Sequence, residues 1–133
     1  MSFRLDPRTL DRLKQRSREV GAAQATLAER YIEEGIRIDE HPGIYFREGG
    51  PGRRPALLGT RLDVAQIVET LRQNENSVEE TAEYLDVPAA QVETAVRYYA
   101  DYKDEIDAWI EESRAIAERE RERWRRQQEA LAP

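Results

Sequence analysis

The spacing of apolar residues changes within the first forty positions of the chain. Polar and apolar residues alternate from Ser2 to Leu5, and this period of two predicts a short strand. Asp6-Pro7 then predicts a helix start, because a carboxylate suits the N-cap and proline suits the first turn. Helical spacing continues up to Gly21, which predicts the end of this helix. A second helical stripe follows, made of Leu27, Ala28, Tyr31, Ile32 and Ile36.

The predicted amino-terminal strand is too short to stand alone. Its backbone N–H and C=O groups need hydrogen-bond partners, and the neighbouring sequence predicts no second strand. The simplest partner is the same strand of a second molecule, antiparallel across a two-fold axis. The pattern therefore predicts a homodimer, with Phe3 and Leu5 facing the core and Ser2 and Arg4 facing outward.

A hairpin is predicted in the middle of the chain. Ile44 to Phe46 and Pro55 to Leu58 are its strands, and the glycine-rich stretch from Glu48 to Gly52 joins them. Three arginines lie on this hairpin, at positions 47, 53 and 54, and a contact between them and a DNA backbone, as a wing, stays open.

Three helices are predicted after the hairpin. Asp63 and Gln66 have the spacing of a capping box, and so have Ser77 and Glu80. Pro88 opens the third helix after a short turn, which gives a helix-turn-helix. The apolar stripe of this third helix continues through Ile106, Trp109 and Ile110, so one unbroken helix is predicted past residue 115.

Glutamate and arginine alternate in the last part of the chain, which predicts a charged helix. Trp124 and Leu131 are its large apolar side chains. A tryptophan beside Arg125-Arg126 is typical of an interface anchor. The alternative is a solvated single helix or one strand of a coiled coil.

Composition excludes several classes of function. The 133 residues include no cysteine and one histidine, so nothing predicts a disulfide scaffold, a thiol nucleophile, a metal site or a catalytic triad. We expect no catalytic residue, no metal and no other cofactor, and hence a protein that is not an enzyme. No apolar run approaches the roughly 20 residues of a membrane span. We therefore expect no membrane partner and a cytoplasmic location, at the nucleoid when the protein is bound to DNA.

Charge is distributed unevenly over three predicted domains, and the net charge of the chain is −6. Residues 1–38 carry eight basic and six acidic side chains, residues 39–103 carry seven and twelve, and residues 104–133 carry six and nine. Because DNA phosphates attract cations, the amino-terminal domain is the expected DNA-binding part. The acidic second domain is expected to serve self-association or protein docking.

The order of strand, proline-started helix, glycine and helix resembles the ribbon-helix-helix fold of the Arc/MetJ/CopG family of DNA-binding dimers. In that family the paired strands enter the major groove and alternate side chains contact bases. The resemblance implies that Ser2 and Arg4 face the bases and that the start of the second helix contacts a phosphate. The implied phosphate contacts are at Ala23, Gln24 and Thr26, although the family often has Ser or Thr where Ala23 stands.

The segments HPGIYF, ALLGTR and SVEETAEYLDVP, in this order, resemble a widespread prokaryotic domain family of unknown function with a winged-helix-like arrangement. Its fusion to a ribbon-helix-helix resembles VapB-type antitoxins, which are encoded beside PIN-domain ribonuclease toxins. Such antitoxins often cover the Mg²⁺-binding carboxylates of the toxin with an arginine-bearing helix. The resemblance implies partner binding by Trp109, Arg121, Trp124, Arg125 and Arg126.

The sequence thus predicts a mainly α protein: a ribbon-helix-helix that dimerises through paired strands, a hairpin with a helix-turn-helix, and a long C-terminal helix. The predicted function is that of an antitoxin in a type II toxin–antitoxin module. It neutralises a PIN-like ribonuclease toxin and represses its own operon by binding double-stranded operator DNA as a dimer. The alternatives are a stand-alone ribbon-helix-helix transcription regulator without a toxin, and an oligomerisation or assembly protein.

Overall fold

The computed structural model describes residues 2–49 and 52–133. The chain divides into two compact units, Met1–Glu40 (unit 1) and His41–Pro133 (unit 2). The described residues form six helices and one two-stranded antiparallel sheet, which confirms the predicted mainly α fold class at that level. No helix within these residues is both long and apolar enough to span a membrane.

Unit 1 contains two helices, α1 (Pro7–Val20) and α2 (Gln24–Glu40). Proline lies in the first turn of α1 as predicted, but the side chain of Asp6 makes no capping hydrogen bond. The turn that ends α1 is made by Gly21, whose φ of 69° lies in the left-handed region. This position confirms the helix end that the sequence predicts, because glycine adopts such a φ without a steric cost.

The predicted amino-terminal strand is neither helix nor strand in the single chain, where residues 2–6 are irregular. Phe3 is 63% exposed, and Leu5 is half-buried beside the two helices. A strand requires a hydrogen-bonded neighbour, which this segment lacks in one copy of the chain. The ribbon between two chains therefore stays a prediction.

Unit 2 begins with the predicted hairpin. Its strands are β1 (Ile44–Gly49) and β2 (Gly52–Leu57), in an antiparallel register that pairs Ile44 with Leu57. Gly50 and Pro51, which belong to the predicted loop, lie outside the described residues. The hairpin prediction is confirmed, and both strands extend further toward the loop than predicted.

Four helices follow the hairpin: α3 (Val64–Gln73), α4 (Val78–Leu85), α5 (Ala89–Asp101) and α6 (Lys103–Leu131). The predicted capping box at α3 is confirmed, because Asp63 and Gln66 each accept a hydrogen bond from the other's backbone N–H, at 2.8 and 2.9 Å. At α4 the hydroxyl of Ser77 accepts from the N–H of Glu80 at 3.2 Å. Asp86 then turns the chain from α4 into α5 with a left-handed φ of 56°.

The hydrophobic core of unit 2 lies between the hairpin and the helices. Both strands and all four helices contribute apolar side chains to it, including Ile44, Leu57, Val64, Ile67, Ala82, Val92, Tyr98, Ile106 and Ile110. The first two turns of α6 therefore pack in the globular part of unit 2. The predicted C-terminal tail begins at residue 104, so it includes these packed turns.

α5 and α6 are separate helices, so the prediction of one unbroken helix was wrong. Tyr102 separates them with a φ of −129° and a ψ of 38°. Its ring packs against those of His41 and Tyr98, with centroids 6.1 and 4.7 Å away. The helical period gave no sign of this break, because the apolar stripe continues through both helices.

Candidate functional site

Unit 1 has an open apolar groove in place of a core. Among its described residues Leu27 is the one buried side chain. The groove measures about 520 Å³, and its apolar lining is formed by Phe3, Leu5, Leu13, Ala28, Tyr31 and Ile32. Tyr31 and Ile32 are 41% and 48% exposed. Apolar surface of this kind is usually covered by another molecule.

All five predicted DNA-binding residues are exposed: Ser2, Arg4, Ala23, Gln24 and Thr26. The first two lie in the irregular segment before α1, and the other three lie at the start of α2. The carbonyl of Ala23 accepts from the N–H of Leu27 at 2.9 Å, which places Ala23 at the N-cap. Its methyl group supplies no capping oxygen, so the first-turn N–H groups of α2 receive no cap from it.

A polar contact links α1 to α2 at the edge of the groove. Arg16 forms an ion pair with Glu19 at 2.7 Å and lines the groove together with Tyr31. Hydrogen bonding between Arg16 and Tyr31 raises the pKa of Arg16 above its usual value and lowers the pKa of Tyr31. The sequence analysis missed this contact, since the two residues belong to different helices.

A buried carboxylate gathers the hairpin arginines in unit 2. Asp63 is 1% exposed, and its Oδ2 lies 2.8 Å from Arg54 Nη1 and 3.6 Å from Arg47 Nη2. The guanidinium of Arg54 also stacks over the ring of Trp109, 4.8 Å from its centroid. Two of the hairpin arginines therefore turn toward the interior, away from the outward position that a DNA-contacting wing requires.

Asp107 is the centre of a second polar cluster in unit 2, which joins α3, α5 and α6. It accepts hydrogen bonds from Arg72, Tyr99 and Lys103 at 2.6, 2.7 and 2.7 Å. The bond from Lys103, followed by that from Tyr99, holds the pKa of Asp107 well below its usual value. The same carboxylate raises the pKa values of Arg72 and Lys103. The sequence analysis did not identify this cluster.

The predicted partner-binding residues fall into two groups along α6. Trp109 is half-buried and stacks with Arg54. The other four residues lie at least 12 positions further on, which is about 18 Å of helix, and all are exposed: Arg121, Trp124, Arg125 and Arg126. The helix therefore separates Trp109 from the rest of the set.

The outer face of the helix-turn-helix is acidic. Exposed residues on α4 and on the turn that follows include Glu79, Glu80, Glu83 and Asp86, and Glu93 lies on α5. Tyr84 is 74% exposed among them. Phosphates repel a surface of this charge. The expected self-association or docking role of this part of the chain stays a prediction.

Comparison with known protein families matches part of unit 2. Residues 49–99 match a family described as protein of unknown function (DUF433). The matched region runs from the end of β1 through most of α5, so it contains the helix-turn-helix. The predicted resemblance to a domain family of unknown function is confirmed for these residues. Neither the curated proteins nor the solved structures gave a match.

Proposed function

We propose that this protein is the antitoxin of a type II toxin–antitoxin module. It binds double-stranded operator DNA as a homodimer through unit 1, represses its own operon, and neutralises a PIN-like ribonuclease through its C-terminal half. The observation that carries the proposal is the open apolar groove of unit 1, which a second copy of the same unit covers.

Dimerisation follows from the composition of the groove. Phe3 and Leu5 line it beside α2, so the amino-terminal segment already lies next to the surface that needs covering. Antiparallel pairing of two such segments supplies their missing backbone hydrogen bonds. The same step buries apolar side chains of α2, including Ile32. Each Å² of apolar surface that is removed from water stabilises the dimer by about 25 cal/mol.

DNA binding uses the outer row of the paired strands. In an antiparallel ribbon Ser2 and Arg4 share the face opposite Phe3 and Leu5. An arginine on this face donates two hydrogen bonds to guanine O6 and N7. The uncapped N–H groups at the start of α2 suit a backbone phosphate.

Toxin binding uses the part of the chain that is least suited to DNA. Unit 2 has an acidic outer face, and α6 extends from its core as a helix whose residues from position 116 onward are exposed, apart from the half-buried Glu122. The exposed stretch of α6 from residue 116 onward has few tertiary contacts to stabilise its helix, so it gains stability when a partner covers it.

Sedimentation combined with electrophoretic mobility shift on the protein's own promoter tests the proposal. We expect the wild-type chain to be a dimer that retards promoter DNA. Arg4→Ala should weaken specific binding by about ten- to hundredfold without changing the oligomeric state. Arg18→Ala removes the same charge from the last turn of α1 and serves as the matched control.

A monomeric wild-type chain, or a chain that binds the promoter equally well with and without Arg4, contradicts the DNA-binding part of the proposal. DNA binding without neutralisation of a co-expressed PIN-like toxin would instead indicate the stand-alone regulator. A dimer that does not bind promoter DNA would indicate an assembly protein.

A further inference from the structure

The sheet of unit 2 consists of two strands, so each strand has an outer edge. The hydrogen-bond pattern shows which backbone groups of β1 point outward. The N–H of Leu58 donates to the carbonyl of Gly43 at 2.9 Å, so this pair of residues faces inward. Inward and outward residues alternate along an antiparallel pair of strands. The backbone groups of Phe46 and Glu48 therefore point to the outer edge of β1.

The outer edge of β2 is closed to a further strand. Among its outward positions, Pro55 has no N–H, and the N–H of Leu57 donates to the carbonyl of Leu62 at 3.0 Å. Ala56 also forms a bridge with Asp63. Proline and a covered edge are two of the means by which proteins prevent the addition of strands to a sheet.

The outer edge of β1 has neither protection. Its sequence, IYFREG, contains no proline, and no residue that the structure describes accepts a hydrogen bond from the outward N–H of Phe46 or of Glu48. The carbonyl of Phe46 accepts from Arg53 Nη2 at 3.4 Å, and a carbonyl oxygen can accept a second hydrogen bond. A strand edge with free donors and acceptors is a template for another strand.

We infer that β1 pairs with β1 of a second copy of the chain, antiparallel and with the two Phe46 residues opposite each other. In this register the two Phe46 residues exchange backbone hydrogen bonds, and each Glu48 N–H donates to the carbonyl of Ile44 in the other copy. The N–H of Ile44 takes no part, because it already donates to the carbonyl of His41 at 3.1 Å. The result is a four-stranded sheet that two molecules share.

The side chains of β1 are complementary to themselves in this register. On one face the two Phe46 rings lie opposite each other, and aromatic cross-strand pairs stabilise antiparallel sheets. On the other face Tyr45 lies opposite Arg47 of the second copy, where a guanidinium over the ring forms a favourable cation–π contact. A register shifted toward the loop places Arg47 opposite itself, which like charges disfavour. The opposite shift leaves Glu48 beyond the end of the partner strand.

This contact lies on unit 2 and differs from the dimer contact proposed for unit 1, so the inference does not depend on the antitoxin role. One pair of short strands buries little surface, and small interfaces are weak. We therefore expect the unit 1 dimer at low concentration and association of two dimers into a tetramer at about 100 μM.

Cysteine cross-linking of the full-length chain tests the register, because the sequence contains no cysteine of its own. Phe46→Cys places two thiols opposite each other with their Cα atoms about 5.5 Å apart, a separation that a disulfide spans. Glu48→Cys is the matched control, since its two Cα atoms are more than about 13 Å apart in this register. Under mild oxidation at about 100 μM we expect a covalent dimer from Phe46→Cys and none from Glu48→Cys.

A second pair of variants tests the hydrogen bonds and leaves Phe46, which packs near Tyr98, in place. Glu48→Pro removes an N–H that points away from β2, so the hairpin keeps its own hydrogen bonds. Because two symmetry-related hydrogen bonds are lost, sedimentation should show association into tetramers weakened by about tenfold. Glu48→Ala keeps the N–H and should associate as the wild type does. Circular dichroism of both variants should match the wild type.

Equal cross-linking of the two cysteine variants overturns the inference, and so does equal association of Glu48→Pro and Glu48→Ala. An edge that binds only a different protein leaves the wild-type chain dimeric at every concentration, and this result also overturns it while leaving the antitoxin proposal intact. A wild-type dimer that Glu48→Pro converts to a monomer would instead support the β1 contact and contradict the dimer of unit 1.

Discussion

The guanidinium of Arg54 lies between the carboxylate of Asp63, 2.8 Å away, and the ring of Trp109, whose centroid is 4.8 Å away. This arrangement connects β2, the start of α3 and the inner part of α6. Asp63 also caps α3 through Gln66. The carboxylate of Asp63 thus holds the hairpin to the start of α3.

Replacement of Asp63 should destabilise unit 2 strongly. Asp63→Ala removes a helix cap and leaves two arginines without their buried counter-charge, so we expect a loss of about 3–5 kcal/mol in the free energy of unfolding. Urea unfolding followed by tryptophan fluorescence measures it, since both tryptophans lie in unit 2. Glu48→Ala removes an exposed carboxylate 3.9 Å from Arg53 and should cost less than about 0.5 kcal/mol. Similar values for the two variants would show that Asp63 has no special role.

Acid should weaken the contact of α6 with α3 and α5 through Asp107. Its pKa in the folded protein is depressed below the usual value of 3.8, so its stabilising effect is complete above about pH 4 and is lost as the pH falls toward the folded value. Urea midpoints measured at pH 7, 4 and 3 should therefore fall more steeply for the wild type than for Asp107→Asn. Glu112→Gln, at an exposed site on the same helix, should follow the wild type. Parallel curves for the wild type and Asp107→Asn would refute this prediction.

Two glycines of unit 1 should respond to alanine with opposite signs. Gly21 has a left-handed φ, so Gly21→Ala should destabilise the unit by about 1 kcal/mol although the added Cβ meets no atom within 4 Å. Gly35 lies within α2 and also has open space around it, so Gly35→Ala should stabilise by about 0.5–1 kcal/mol. Thermal unfolding followed by far-UV circular dichroism at one fixed protein concentration measures both effects. A stabilising Gly21→Ala would be inconsistent with the helix end described above.

Local sequence signals predicted most of the helix and strand positions. Pro7, Gly21, Asp63 with Gln66, and Ser77 with Glu80 each act through backbone atoms within a few residues, so their effect is readable from the chain. The hairpin was predicted in the same way, from strand-forming residues around a glycine-rich turn. These features depend on short-range geometry alone.

Features that depend on distant residues were not predicted. Tyr102 breaks the α5–α6 helix where its ring packs against His41, which lies 61 positions earlier, and no local pattern indicates this contact. Asp63 was recognised as a cap but not as the counter-charge of Arg47 and Arg54, because the fold of the hairpin brings them together. The pairing of residues 2–5 between chains stays a prediction for a related reason, since its partner belongs to another molecule.

The continuity of α6 between Ile110 and Trp124 has an energetic consequence for unit 2. The inner turns are held by the core, and helix formation propagates more easily than it starts. The core therefore serves as the nucleus from which the outer stretch extends, which lowers the entropic cost of ordering that stretch. A truncated peptide that carries the outer residues alone lacks this template and begins from a largely unstructured ensemble.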